Sequence, residues 1–195
     1  MTNVAAQIGD LLSSLQSPDF FEREEAVKKL GEYDRDEAVA GLVLAIEDPD
    51  LGIRELAADR LCKIKGDMAA QLLIRFLAHD DIGTRNLASE ILVKVGPPAV
   101  PALVEHIATD DHNVRKFICD VLGLIGDEQA MKALRQALWD ENANVVCSAT
   151  EALGEIGSPQ AIEDLIAVAD KIEDALLPAV EAFGKIGDPG ALDYL

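Results

Sequence analysis

Aromatic residues make up only 4% of these 195 residues, tryptophan occurs once, and no apolar run is long enough to span a bilayer. A core so poor in rings and rich in Ala and Leu suits interlocked helix pairs. Basic residues are scarce as well: 17 Lys and Arg face 36 Asp and Glu, a net charge of −19. Phosphate backbones attract cations, so neither nucleic acid nor a membrane is expected as a partner. Three widely spaced cysteines, Cys62, Cys119 and Cys147, form no disulfide framework. The opening Met1-Thr2-Asn3-Val4 lacks the basic start of a secretion signal, so the expected compartment is a reducing cytoplasm. His79, His106 and His112 show no pairing with carboxylates of the kind a metal needs, and no glycine loop precedes a strand to cradle phosphate. No metal and no cofactor is therefore expected.

What the chain has in abundance is self-similarity. One string returns six times at intervals of 30 or 31 residues. In register, the copies read Arg23, Arg54, Arg85, Arg115, Val146 and Leu176; seven positions on stand Leu30, Leu61, Leu92, Leu122, Leu153 and Phe183. Between them fall Ala26, Ala57, Ala88, Ile118, Ala149 and Ala179, and three positions after the Leu column come Tyr33, Ile64, Val95, Ile125, Ile156 and Ile186. Steps of three and four place all of these on one helical face, which predicts a core stripe. A second helix precedes each of these, as over Ala99 to Ala108 and Glu128 to Trp139. Polar turns such as Asp48-Pro49-Asp50 and Asp140-Glu141-Asn142 supply N-caps, and Gly96-Pro97, Gly126-Asp127 and Gly157-Ser158-Pro159 supply a left-handed stop and a new start. A unit of this length cannot bury its own apolar face, so the copies must stack.

The motif of Asp, three residues, Arg, then Ala and Leu-Gly, ending Ile-Gly-Asp, resembles the HEAT repeat in the short, regular form first noted in phycobiliprotein lyases. Asp50 with Arg54, Asp81 with Arg85 and Asp111 with Arg115 carry the likeness, which covers nearly the whole chain. It implies an all-α, right-handed α-solenoid of six helix-turn-helix repeats plus a partial seventh, with the Arg-bearing helices lining the concave side. Those Asp and Arg residues are read as a structural ladder, which should stop after the fourth repeat because Val146 and Leu176 replace Arg. The expected organisation is one solenoid over 1–195, opened by a helix at about 4–16 and cut short within a seventh repeat at Ala191-Leu192-Asp193-Tyr194-Leu195. The His-Glu pairs of HEAT-like metal hydroxylases do not occur, so their di-iron chemistry is not carried over.

Two surfaces are candidates for a partner. Two positions before the Leu column stand Lys28, Asp59, Glu90, Asp120, Glu151 and Glu181, five carboxylates in succession; lining a groove, they would focus a negative field on a basic segment. Their competing role is to pair along the helix, Asp59 with Lys63, Glu90 with Lys94 and Glu181 with Lys185. Apolar residues in otherwise polar positions, Leu124, Leu177 and Cys147, form the second candidate together with the single Trp139, which stands where other copies have Glu47, Ala78, Ala108 and Ala169, with end-capping and gap-filling as their ordinary explanation. Residues 98–195 hold 18 acids and 6 bases, so a basic partner would favour that half. The expected function is a non-catalytic scaffold or regulatory module presenting an acidic concave groove to a protein. The repeat type alone implies an alternative, a bilin lyase or lyase-like subunit acting on phycobiliproteins; a structural repeat domain of a larger sensor or enzyme is a third reading.

Overall fold

The computed structural model describes residues 4–64 and 67–189, and within them every regular element is helical. The fold is an α-solenoid built of helical hairpins. Its chain divides into two compact units, Met1–Ala99 and Val100–Leu195. The first holds α1 (Val4–Ser14), α2 (Phe20–Leu30), α3 (Asp36–Ala45), α4 (Leu51–Lys63), α5 (Met68–Leu73) and α6 (Ile82–Val95). The second holds α7 (Val100–His106), α8 (His112–Ile125), α9 (Met131–Ala137), α10 (Ala143–Ile156), α11 (Ile162–Ala169) and α12 (Leu176–Ile186). Even-numbered helices carry the Arg and Leu columns. Among the described residues no single helix is long and apolar enough to cross a membrane. The partial seventh repeat expected at Ala191 to Leu195 lies outside the described residues.

Caps set the boundaries. Asp19, Asp50, Asp81, Asp111 and Asn142 each accept a backbone N–H from the first turn of the helix that follows. At the other end Gly126, Gly157 and Gly187 adopt the left-handed conformation that stops α8, α10 and α12. The odd-numbered helices are shorter in α-form than expected. Pro97–Ala99 and Glu128–Ala130 form 3-10 turns ahead of α7 and α9, closed by bonds from Ala99 N–H to the Gly96 carbonyl (2.8 Å) and from Ala130 N–H to that of Asp127 (3.0 Å).

Burial follows the repeat columns, with one correction. The Leu column from Leu30 to Leu153 is fully buried, Phe183 nearly so, and the small column from Ala26 to Ala179 is sealed from solvent. Tyr33, Ile64, Val95, Ile125, Ile156 and Ile186, expected in the same stripe, are only half-buried. They sit where each helix ends and the chain turns away, at the edge of the stack, so the stripe is narrower than the periodicity suggests.

Helix approach is closest in the second unit. A Cβ added at Gly123 of α8 would lie 2.7 Å from the Ala152 Cα of α10, and one at Gly154 of α10 would lie 2.7 Å from the Ala182 Cα of α12. Backbone thus meets backbone, and in these two helices the Gly one residue after the Leu column is the seat for the Ala of the next helix; Gly31, in the same column, takes the Arg60 side chain instead.

Candidate functional site

The Arg column works at the turns. Arg54 donates to the carbonyls of Asp48 (2.9 Å) and Pro49 (3.5 Å), Arg85 to that of His79 (2.6 Å), and Arg115 to those of Thr109 (2.9 Å) and Asp110 (3.0 Å). Two of the arginines also reach one repeat forward, each through two bonds: Arg23 to Asp48 (2.8 and 3.2 Å) and Arg115 to Asp140 (2.7 and 2.9 Å). Hydrogen bonding to these carboxylates raises both guanidinium pKa values. Asp50, Asp81 and Asp111, placed with Arg54, Arg85 and Arg115 on the expected ladder, cap their own helices instead, and the forward ion pairs go to other carboxylates. The Thr84 backbone N–H pulls the Asp81 carboxyl below its usual range, and that of Asn113 does the same for Asp111. At the two departures Val146 is buried and Leu176 is 45% exposed.

The histidines have local roles. Nδ1 of His79 accepts the Asp81 N–H (3.0 Å), as Asp48 accepts that of Asp50 (2.8 Å) and Asp140 that of Asn142 (2.9 Å); its Nε2 faces Glu47 (3.2 Å). His106 Nδ1 lies 2.9 Å from the Ala102 carbonyl. Among the described residues no group of His, Cys, Asp and Glu could hold a metal ion.

The acidic row is divided between two places. Asp59 and Glu90 line a groove of about 640 Å³ between α4 and α6, together with Arg54, Ala58, Cys62 and Lys94. Both acids are paired along their helices, Asp59 to Lys63 and Glu90 to Lys94, each at 2.6 Å. In the second unit Asp120 and Glu151 border a smaller depression of about 310 Å³ across α8 and α10, which also takes in Leu124, Glu155, Lys116 and Lys185. Asp120 pairs with Lys116 (2.7 Å). The expected pairing of Glu181 with Lys185 is replaced: Lys185 crosses to Glu155 of α10 (2.7 Å), because the Gly154–Ala182 contact brings the two helices side by side. Among the described residues Glu151 and Glu181 have no ion-pair partner.

Leu124 is 67% exposed beside these carboxylates, and Leu177 is equally exposed on the first turn of α12. Neither makes the buried capping contact that was their ordinary explanation. Trp139 is not part of the depression. It follows α9 at a hairpin turn, half-exposed, with the Lys171 ammonium 4.8 Å from its ring centroid. No thiol is activated: burial pushes Cys119 up to about 12 and raises Cys62 and Cys147 as well, and Cys147 donates to the Asp174 carbonyl (3.3 Å).

Sequence reasoning missed the α4–α6 groove. The signal was present: Cys62 and Val93 occupy the column where Gly31, Gly123, Gly154 and Gly184 stand in the other copies. α4 and α6 pack less closely than α8 and α10, and so do α2 and α4, where Gly31 meets the Arg60 side chain in place of an alanine.

The family model for HEAT repeats matches residues 8–92, 45–116 and 100–179. No curated protein matches the sequence. Among solved structures the chain is similar to Drosophila melanogaster Mini spindles TOG3, at 13% identity over 92% of this chain and 95% of that one, with a TM-score of 0.63. It is also similar to the complex of CpcE and CpcF of phycocyanin lyase from a Nostoc species (25% identity, 95% and 79% covered, TM-score 0.43). A designed armadillo-repeat protein in complex with the peptide (KR)4 is a further likeness (16% identity, 92% and 99% covered, TM-score 0.45).

Proposed function

Since the chain belongs to the HEAT-repeat family, we propose that residues 1–195 act as one non-catalytic docking module, a scaffold whose α8–α10 surface takes a basic, Leu-containing segment of a partner protein. The observation that carries this reading is Leu124, two-thirds exposed on the rim of a depression where Asp120, Glu151 and Glu155 outnumber Lys116 and Lys185. Both lysines are engaged by carboxylates of the same surface, so the residual field at Glu151 is negative and uncompensated. Preformed helices lose little freedom on binding, which suits a platform for an extended or helical guest.

Fluorescence anisotropy with a labelled peptide of alternating Lys and Leu blocks tests the reading. Burying a Leu side chain contributes about 1.5–3 kcal/mol, so removing a two-thirds-exposed one with Leu124→Ala should weaken binding by roughly five- to thirtyfold. Neutralising the row with Asp120→Asn, Glu151→Gln and Glu181→Gln should flatten the salt dependence between about 0.01 M and about 0.15 M, where the screening length falls from roughly 30 to 8 Å. A peptide of Glu and Leu blocks that binds as well, or affinity indifferent to both sets of changes, refutes the assignment.

A further inference from the structure

Arg23 and Arg115 each pair with an aspartate 25 positions on, at the next hairpin turn; for Arg54 the residue at that distance is His79. The aspartates do two things there. Asp48 and Asp140 accept the backbone N–H two residues on, and each also takes the Nε and Nη2 donors of its arginine. His79 keeps the first role and loses the second: its Nδ1 accepts the Asp81 N–H (3.0 Å), its Nε2 faces Glu47 (3.2 Å), and it offers no carboxylate. Arg54 therefore holds the Asp48 and Pro49 carbonyls through Nη1 alone, and among the described residues its Nε and Nη2 have no partner. The carboxylates around it are engaged elsewhere, Asp50 by the N–H groups of Gly52 and Ile53, Asp81 by Thr84 and Asp59 by Lys63.

We propose that this guanidinium anchors a second docking site: the α4–α6 groove takes a short extended segment of a partner protein that carries one Asp or Glu between apolar residues. The guest carboxylate supplies what Asp48 and Asp140 supply in the sister repeats, two parallel bonds to a fixed fork. Its apolar neighbours follow from the rest of the lining, where Leu51 is 58% exposed and Leu87 and Cys62 are half-buried. Further carboxylates on the guest are disfavoured by the net charge of −19 and by Asp59 and Glu90 along the groove. The length follows from geometry: Leu51 and Cys62 stand 11 positions apart on α4, about 16 Å of helix, which about five residues of extended chain would span. Leu51, Glu55 and Glu90 leave the walls open to solvent, which suits a peptide better than an enclosed small molecule. The groove lies within the first unit and its guest meets it with a negative charge, so this site and the Leu124 depression stand or fall separately.

Fluorescence anisotropy with the full chain and a labelled Ser-Leu-Glu-Leu-Ser peptide provides the test. The peptide should bind, and replacing its Glu by Gln should weaken binding by about tenfold or more, because the charged half of a bidentate pair is lost. His79→Asp restores to Arg54 the partner that Arg23 and Arg115 have, so it should weaken binding by a similar factor while the melting temperature stays at or above the native value. Arg54→Lys, which keeps the charge and loses the fork, should also weaken binding, and Leu51→Ala should do so by about three- to tenfold. A peptide with three Glu should bind less well than the peptide with one. Equal affinity for the Glu and Gln peptides overturns the proposal, as does affinity unchanged by His79→Asp in a folded protein. Octanoate that displaces the peptide and binds more tightly would make a fatty carboxylate the occupant and overturn it too.

Discussion

Gly154 and Gly184 occupy the same column of the repeat and both lie inside helices, yet the structure assigns opposite signs to the same substitution. A Cβ at Gly154 would stand 2.7 Å from both Cα and Cβ of Ala182, so nothing can yield except the helix itself. Gly154→Leu inserts four carbons into a contact between backbones, and overpacking of this kind costs up to about 3 kcal/mol. At Gly184 no neighbouring atom of the described residues lies within 4 Å, and there the substitution only removes the entropy cost of a helical glycine, a gain of about 0.5–1 kcal/mol. For a chain of this length each kcal/mol moves the melting temperature by about 2–4 °C, so a cost of about 1–3 kcal/mol at Gly154→Leu should lower it by roughly 2–12 °C and Gly184→Leu should raise it by about 1–4 °C. Trp139 is the only tryptophan and lies in the second unit with both glycines, so its emission during thermal melts reads the relevant region directly. Equal shifts in the two variants, or no loss at Gly154, would refute the seat-and-knob account of how these helices pack.

Other consequences follow from the turns and thiols. Arg115 and Asp140 are each close to nine-tenths buried, so Arg115→Ala leaves a carboxylate without its guanidinium and should cost about 3 kcal/mol in urea titrations followed by Trp139 emission. Arg54→Ala, which removes hydrogen bonds to carbonyls only, should cost about 1–2 kcal/mol. The folded carboxyls of Asp81 and Asp111 lie below the unfolded value of about 3.9, so their contribution is complete above that pH and is lost as pH falls through the folded values. The urea midpoint should accordingly drop more steeply below pH of about 4 in the native chain than with Asp81→Asn and Asp111→Asn combined. A disulfide reagent at mildly alkaline pH should modify Cys62 and Cys147 slowly and Cys119 only on unfolding; a fast-reacting thiol would contradict the burial described.

The fold was legible because every local signal repeats. Asp50, Asp81 and Asp111 announce helix starts, Gly126, Gly157 and Gly187 announce stops, and the Leu column needs no partner information to be recognised as core. The half-buried row from Tyr33 to Ile186 shows where periodicity stops being informative: it places a residue on a face but does not say that the face ends there. Lys185 makes the same point for charge. Within α12 its partner by spacing is Glu181, yet a carboxylate on the adjoining helix is nearer, and that depends on an interhelical distance set by Gly154 and Ala182. The candidate surfaces were legible as residue types only. Asp59 and Glu90 read the same as Asp120 and Glu151 along the chain, but their lysine partners and the size of the hollow beside them differ.

That difference traces to a single column. With glycine there facing an alanine, as at Gly123 with Ala152 and Gly154 with Ala182, successive helices close to backbone contact, and the charged positions on either side come into register across them, which is how Lys185 reaches Glu155. With Cys62 there, α6 is held off α4, and the space left is a groove in which Arg54 and Lys94 face Asp59 and Glu90. The first arrangement yields a small depression with an exposed Leu124 and an uncompensated Glu151; the second yields a larger groove whose Asp59 and Glu90 are matched by lysines. A basic guest is attracted by unmatched carboxylates and indifferent to paired ones, so the tighter packing of the second unit, rather than the larger cavity of the first, is what equips a surface for such a partner. Cys62→Gly combined with Ile91→Ala, the position that Ala152 and Ala182 hold in the second unit, would probe the link: the pair should draw α6 toward α4 and shrink the groove while leaving peptide affinity at Leu124 unchanged, and a groove of unaltered size would separate the glycine–alanine contact from the packing it is held to control.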